Sequence, residues 1–151
     1  MPGTTFKTKG IHMIRRFLLT VVAVAMVGFV LPSAPSAQGK ASALDTVKAT
    51  AFVAEWVLTM QGRQGPQDRP LSITDVGGKV AAELSGGRGG PVSITDITMP
   101  GADLILKWNQ EGPQGVIDVV MTLTLKDGAL TVKQDFAGGQ FSQSGTGKKK
   151  G

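Results

Sequence analysis

The chain carries a single histidine, His12, and no cysteine or tyrosine. His12 stands ahead of an apolar run that reads as a removable signal, so the processed chain lacks the groups for Ser-His or Cys-His nucleophilic catalysis. It equally lacks the imidazole and thiolate ligands of a zinc site. Carboxylates are what remain for acid-base work. Asp75, Asp96, Asp103 and Asp127 each fall at or beside a turn signal, where aspartate commonly bonds nearby backbone. That reading outweighs a glycosidase-like acid pair or a metal site. No glycine-rich stretch has phosphate-loop spacing, since the Gly86 to Gly90 run has a strand before it and no helix after it. The other chemistry-bearing groups are three arginines beyond the apolar run, Arg63, Arg69 and Arg88. A guanidinium is suited to two-point contact with carboxylate or phosphate.

The best-specified of the elements that must position these groups is Val119 to Phe136. Asp127-Gly128 tolerates the positive φ angles of a two-residue hairpin turn. Counting outward from it places Leu125 opposite Leu130, Leu123 opposite Val132 and Val119 opposite Phe136 on one face. Thr124 meets Thr131 and Thr122 meets Lys133 on the other. A slip of one residue would turn every apolar side chain to water, so the pattern specifies its own pairing. Met121 opposite Gln134 is the single exception.

Earlier in the chain, Phe52, Ala54, Trp56, Leu58 and Met60 alternate with polar or smaller residues and predict a first strand. Leu71 to Asp75 and Lys79 to Leu84 flank Gly77-Gly78, with Leu71 opposite Leu84 and Ile73 opposite Ala82. Pro91-Val-Ser-Ile-Thr-Asp96 nearly repeats Pro70-Leu-Ser-Ile-Thr-Asp75 at a spacing of twenty-one residues, a separation that suits a hairpin unit. Asp103 to Asn109 follows the Pro100-Gly101 turn, and a last short strand is expected near Gln140 to Thr146 with Phe141 inward. These signals predict an all-β chain: about eight antiparallel strands in an up-and-down meander closed into a small barrel, preceded by a signal-peptide helix. Closure removes the exposed edges that a β protein must otherwise guard.

Successive connections in a meander alternate between its two ends. Gly77-Gly78, Pro100-Gly101 and Asp127-Gly128 then share one end. The connections at Gln61 to Asp68, Gly86 to Gly90, Gln110 to Gly115 and Ala137 to Gly139 share the other. Arg63, Arg69, Arg88 and Gln114 are the candidate binding residues of that second, loop-rich rim. Trp56, Trp108, Met60 and Phe136 are expected in the barrel interior, and the number of large inward residues predicts a mostly filled one.

The N-terminus has its own logic. Phe17 to Leu31 is a fifteen-residue apolar run, preceded by Lys7, Lys9, Arg15 and Arg16 and followed by Pro32-Ser33-Ala34-Pro35-Ser36-Ala37. Basic, apolar, then small residues is the order of a secretory signal, and a membrane-spanning helix needs about 20 apolar residues. The expected organisation is a leader and signal peptide over 1–37, a linker over 38–51, a barrel over 52–147 and a basic tail over 148–151. From residue 38 onward twelve cations face eleven anions, a net of +1, so the pI near 9.8 belongs to the signal and the Lys148 to Lys150 run. A basic nucleic-acid footprint is absent from the body.

The strand bearing Trp56, the Gly-Gly-Lys hairpin, the Ile-Thr-Asp strand and the run Leu125-Lys-Asp-Gly-Ala-Leu-Thr131 resemble the small secreted bacterial barrels of lipocalin-like, or calycin-like, type. Similar barrels occur attached to bacterial amidohydrolases. The resemblance covers about Ala54 to Gly147. Lipocalins proper have Gly-x-Trp in the first strand and a late arginine over the tryptophan; here the first strand reads Ala54-Glu55-Trp56, and no arginine follows Arg88. The expected function is a secreted or periplasmic, non-enzymatic module without cofactor or metal that binds an anionic small molecule or an envelope protein at its arginine-bearing end. It would have no specific nucleic-acid partner and no stable membrane anchor after cleavage. The alternatives are a lipocalin-like carrier of a small apolar ligand and, last, a carboxylate-based hydrolase.

Overall fold

The computed structural model describes residues 40–87 and 89–151; the segment expected to be a leader and signal peptide, and Arg88, lie outside them. Nine antiparallel strands form one sheet: β1 (Ala54–Gly62), β2 (Gly65–Val76), β3 (Lys79–Leu84), β4 (Val92–Ile94), β5 (Asp96–Thr98), β6 (Asp103–Gly112), β7 (Gly115–Lys126), β8 (Ala129–Phe136) and β9 (Phe141–Lys149). Their order is β4-β3-β2-β1-β9-β8-β7-β6-β5. Every pairing is between neighbours in sequence or between the first strand and the last, which makes a meander rolled into a nearly closed barrel. The two ends of the order, β4 and β5, are separated only by Thr95. They are one strand broken in the middle, whose first half pairs with β3 and whose second half pairs with β6. Counted that way the strands number eight.

The β7–β8 hairpin has the register that the alternation requires. Val119 pairs with Phe136, Leu123 with Val132 and Lys126 with Ala129. Asp127 (φ 52°) and Gly128 (φ 78°) both occupy the left-handed region, the signature of a type I′ turn. Replacing Gly128 by Val is therefore expected to cost about 1–3 kcal/mol through backbone strain. Thr122→Ala, on the outer face, should cost well under 1 kcal/mol, and equal denaturation midpoints for the two variants would refute the turn assignment.

The near-repeat has a structural counterpart. Leu71 pairs with Leu84, which pairs with Val92; Ile73 pairs with Ala82, which pairs with Ile94. The two copies flank β3 at equivalent heights and send corresponding side chains inward, Leu71 with Val92 and Ile73 with Ile94. The interior is one apolar cluster containing Trp56, Leu58, Met60, Leu71, Leu104, Leu123 and Val132, each 2% exposed or less.

Three segments depart from expectation. The described part of the expected 38–51 linker, residues 40–51, is not simply a linker. The backbone of 42–46 runs along the start of β3, which β4 leaves unpaired, with Ser42 N donating to Val80 O at 2.7 Å, Val80 N to Leu44 O at 2.9 Å and Thr46 N to Gly78 O at 3.0 Å. A 3₁₀ helix, Thr46–Phe52, then puts Ala49 and Phe52 into the core cluster. Phe52 thus ends the helix, and the first strand begins at Ala54. The alternation was blind to this because Phe52 is buried in either role. Nor is Lys148 to Lys150 a tail: β9 runs to Lys149, pairs Lys148 with Val57 and Lys149 with Trp56, and Lys150 N donates to Glu55 O at 2.8 Å. A strand between two others can end in lysines because its backbone, not its side chains, makes the ladder.

Two of the four connections expected to be long loops, Gln61 to Asp68 and Gln110 to Gly115, are instead hairpin arms. β1 and β2 continue to Gly62 and from Gly65, leaving Arg63-Gln64 as a two-residue turn; β6 and β7 likewise leave only Pro113-Gln114. Toward their tips both faces of these arms meet water. Apolar alternation vanishes there although the hydrogen-bonded ladder goes on.

Lys79 ties down the N-terminal segment, with its Nζ 2.5 Å from Asp45 Oδ1. Hydrogen bonding and charge from Lys79 hold the Asp45 carboxyl below its ordinary value. A carboxylate lowered in the folded state stabilises above its unfolded pKa and ceases to do so as pH falls through the folded one. The small difference in melting temperature between wild type and Asp45→Asn should accordingly shrink toward zero as acid passes below the ordinary carboxylate range. A difference that persists unchanged at about pH 2 would contradict the assignment.

Candidate functional site

Inward positions fall into two zones. The half of the barrel nearer the Gly77-Gly78 and Asp127-Gly128 turns is apolar and is covered by Phe52 and Ala49. The half nearer the hairpin tips admits polar side chains. On β2, Leu71 and Ile73 face inward, so Arg69, one inward position closer to the tip and paired with Leu58, shares their face. On β8, Gln134 follows Leu130 and Val132 inward and has no exposure at all. On β6, Trp108 follows Leu104 and Leu106 and is 8% exposed.

These three side chains share a second property: Arg69 Nε, Trp108 Nε1, Gln134 Oε1 and Gln134 Nε2 are each buried atoms without a hydrogen-bond partner, although Arg69 as a whole is only half-buried. Leaving a buried donor or acceptor unpaired costs about 1–3 kcal/mol. Three such side chains lie on inward positions of one half of the barrel, and Thr46 Oγ1, buried and likewise without a partner, lies at the covered end. Burial pushes the Arg69 guanidinium below its ordinary pKa, and among the described residues no carboxylate lies within ion-pair distance of it. Room for it comes from the β3–β4 connection, where a Cβ on Gly87 would sit 3.1 Å from Arg69 Nη2.

The four rim residues are not brought together as a cluster. Arg63 and Gln114 are exposed at the tips of different hairpins. Arg69 shares the inward face of β2 and is half-buried, with its Nη2 beside Gly87 of the β3–β4 connection, and Arg88 is outside the described residues. Of the expected interior residues, Trp56 and Met60 are buried in the core and Phe136 is half-buried. Phe141, expected inward, is 60% exposed. It pairs with Phe136 at the mouth, where no further layer covers it. Gln134 was visible in the sequence only as the one polar residue on an apolar face.

Of the carboxylates expected to serve turns, Asp75 does so, its Oδ1 accepting from Gly78 N at 2.7 Å, whereas Asp103 instead accepts across the β6–β7 ladder from Thr124 Oγ1 at 2.7 Å. Asp135 accepts from Ser142 Oγ and, at 3.1 Å, pairs with Lys133, contacts that hold its carboxyl below the ordinary value. Among the described residues no group of three His, Cys, Asp or Glu is placed to hold a metal ion. At the covered end Lys149 Nζ stands 5.9 Å from the centroid of the Trp56 ring, a cation over the first-strand tryptophan contributed by the last strand. Compared with known protein families, curated proteins and solved structures, the chain matches none.

Proposed function

We propose that this protein is a secreted or periplasmic, non-enzymatic binding barrel that takes a small anionic molecule into the hairpin-tip half of its interior. Arg69 supplies the charge, and the Gln134 amide supplies one donor and one acceptor. The observation that carries this reading is the set of buried, partnerless polar atoms on inward positions. An apolar residue in place of Gln134 would make a more stable barrel, so the amide represents stability given up for recognition. An apolar carrier role is less well supported, because leucine, methionine and tryptophan side chains occupy the covered half. Lys149 over Trp56 supports the lipocalin-like resemblance, with lysine in place of the late arginine.

Titration calorimetry against inorganic phosphate and a panel of small mono- and dicarboxylates tests the proposal. Binding by the wild type should weaken about tenfold or more in Arg69→Gln, the effect expected for one buried charged hydrogen bond. Arg63→Gln should bind as wild type does. Gln134→Leu should melt at a higher temperature than wild type and yet lose affinity. Unchanged affinity in both Arg69→Gln and Gln134→Leu, or no binding to any member of the panel, would defeat the reading.

A further inference from the structure

The barrel's closing seam carries a feature that the interior site does not use. β5 pairs with β6 only at Asp96–Lys107, Ile97–Leu106 and Thr98–Ile105. Beyond Lys107, the remaining residues of β6, Trp108 to Gly112, are paired on their β7 side alone. Across from them, Val92 to Ile94 of β4 are paired on the β3 side alone. Because the chain breaks at Thr95, two strand edges that would meet in a complete barrel diverge toward the hairpin tip. The gap between them is a cleft of about 620 Å³, with Val92, Ser93 and Thr95 on one wall and Trp108 and Asn109 on the other.

A free strand edge is a row of unpaired N–H and C=O groups that templates another strand, and β proteins ordinarily block such edges with proline, lysine or a bulge. No proline lies within Val92 to Thr98 or Asp103 to Gly112, and the single lysine of these two stretches, Lys107, sits at the closed apex of the cleft opposite Asp96. The open portion is acidic: Glu111 on β6 and Asp118, the β7 partner of Asn109, are both exposed.

We propose that this seam accepts an extended, basic peptide segment of about five residues by strand addition to β6. Along an added strand side chains alternate between faces. One set, apolar, would pack toward Trp108 and Val92, and the other, lysine or arginine, would lie outward beside Glu111 and Asp118. Recognition of backbone by the edge and of positive charge by the outer face needs neither Arg69 nor Gln134, and Trp108 is what the seam shares with the interior site.

The test uses a ten-residue peptide alternating lysine with valine, followed by amide hydrogen exchange on the full barrel. Binding should slow exchange about tenfold or more at amides within 108–112 and 92–94. The double variant Glu111→Lys/Asp118→Lys should weaken binding about tenfold or more, while its affinity for the small anions above is retained. The same peptide N-methylated at alternate residues keeps its charge but cannot complete a ladder, and it should not bind. Three results overturn the proposal: absence of binding, binding of the N-methylated peptide equal to that of its parent, or binding that leaves the seam amides unprotected. Concentration-dependent protection of those amides without peptide also overturns it, because the edge would then be an interface between copies of this chain.

Discussion

Gly147→Val is expected to destabilise the barrel by about 3 kcal/mol or more. β9 crosses the barrel wall with glycine at two successive inward positions, Gly145 and Gly147, and neighbouring strands fill the space that their side chains would take. A Cβ at Gly147 would lie 2.7 Å from Leu58 Cδ2, 3.0 Å from Leu130 Cβ and 3.2 Å from Leu130 Cδ1. One at Gly145 would press on the Thr59 carbonyl oxygen and sit 2.7 Å from Met60 Sδ. Leu58, Met60 and Leu130 are all 2% exposed or less, so they have nowhere to yield. Overpacking a tight core costs about 1–3 kcal/mol and sometimes more. Valine at Gly147 adds three carbons to a site that cannot take one, on a strand that joins the first half of the barrel to the second. Gly89→Ala, where the added Cβ would meet nothing within 4 Å and φ is not positive, should leave stability within about 0.5 kcal/mol. Urea midpoints measured by far-ultraviolet dichroism decide the matter, and a Gly147→Val midpoint within experimental error of Gly89→Ala would show that β9 is misplaced.

Trp56→Ala should cost about 3–5 kcal/mol, the range for truncating a buried large aromatic. The ring is 2% exposed. Its Nε1 donates to Phe52 O at 2.8 Å, which fastens the C-terminal end of the 3₁₀ helix to the first strand, and Lys149 covers its face. Truncation would remove the packing, the tie to the helix and the cation's partner together. Trp56→Phe separates these contributions by keeping most of the volume while losing the donor, and should cost about 1–2 kcal/mol. Exchange protection in 42–52 should fall in the Phe variant more than protection in β7 and β8 does. Equal losses in both places would mean that Trp56 acts through packing alone.

Much of this architecture was legible because the barrel is built from local decisions. The turns at Gly77-Gly78 and Asp127-Gly128 each determine a hairpin, and the two-residue period of their flanking strands determines which side chains go inward; both are properties of residues within about a dozen positions of each other. Alternating connections then place two ends, so the inward positions of Trp56, Trp108 and Met60 follow from counting. The arms beyond the barrel were not legible, since Gln61 to Asp68 and Gln110 to Gly115 have no buried face and hence no period. The 3₁₀ cover was hidden for a related reason. Seven residues whose three buried side chains are Thr46, Ala49 and Phe52 make no apolar period, and Phe52 reads equally well as strand.

The candidate site divides in the same way. Sequence alone could show that Arg63, Arg69 and Arg88 belong to one end of a meander, and that Gln134 breaks an apolar face. Only the tertiary structure separated Arg69, half-buried on the inward face of β2 with its Nε unpaired, from Arg63 at an exposed tip, because inward or outward on an arm depends on register to a neighbouring strand. Only the rolled sheet could bring Arg69, Trp108 and Gln134 to the same half of one interior from β2, β6 and β8. The pairing of β1 with β9, which joins residues about ninety positions apart, leaves no mark in either strand's own sequence. Closure is enforced by the removal of two long edges from water, a property of the whole sheet and of no segment within it.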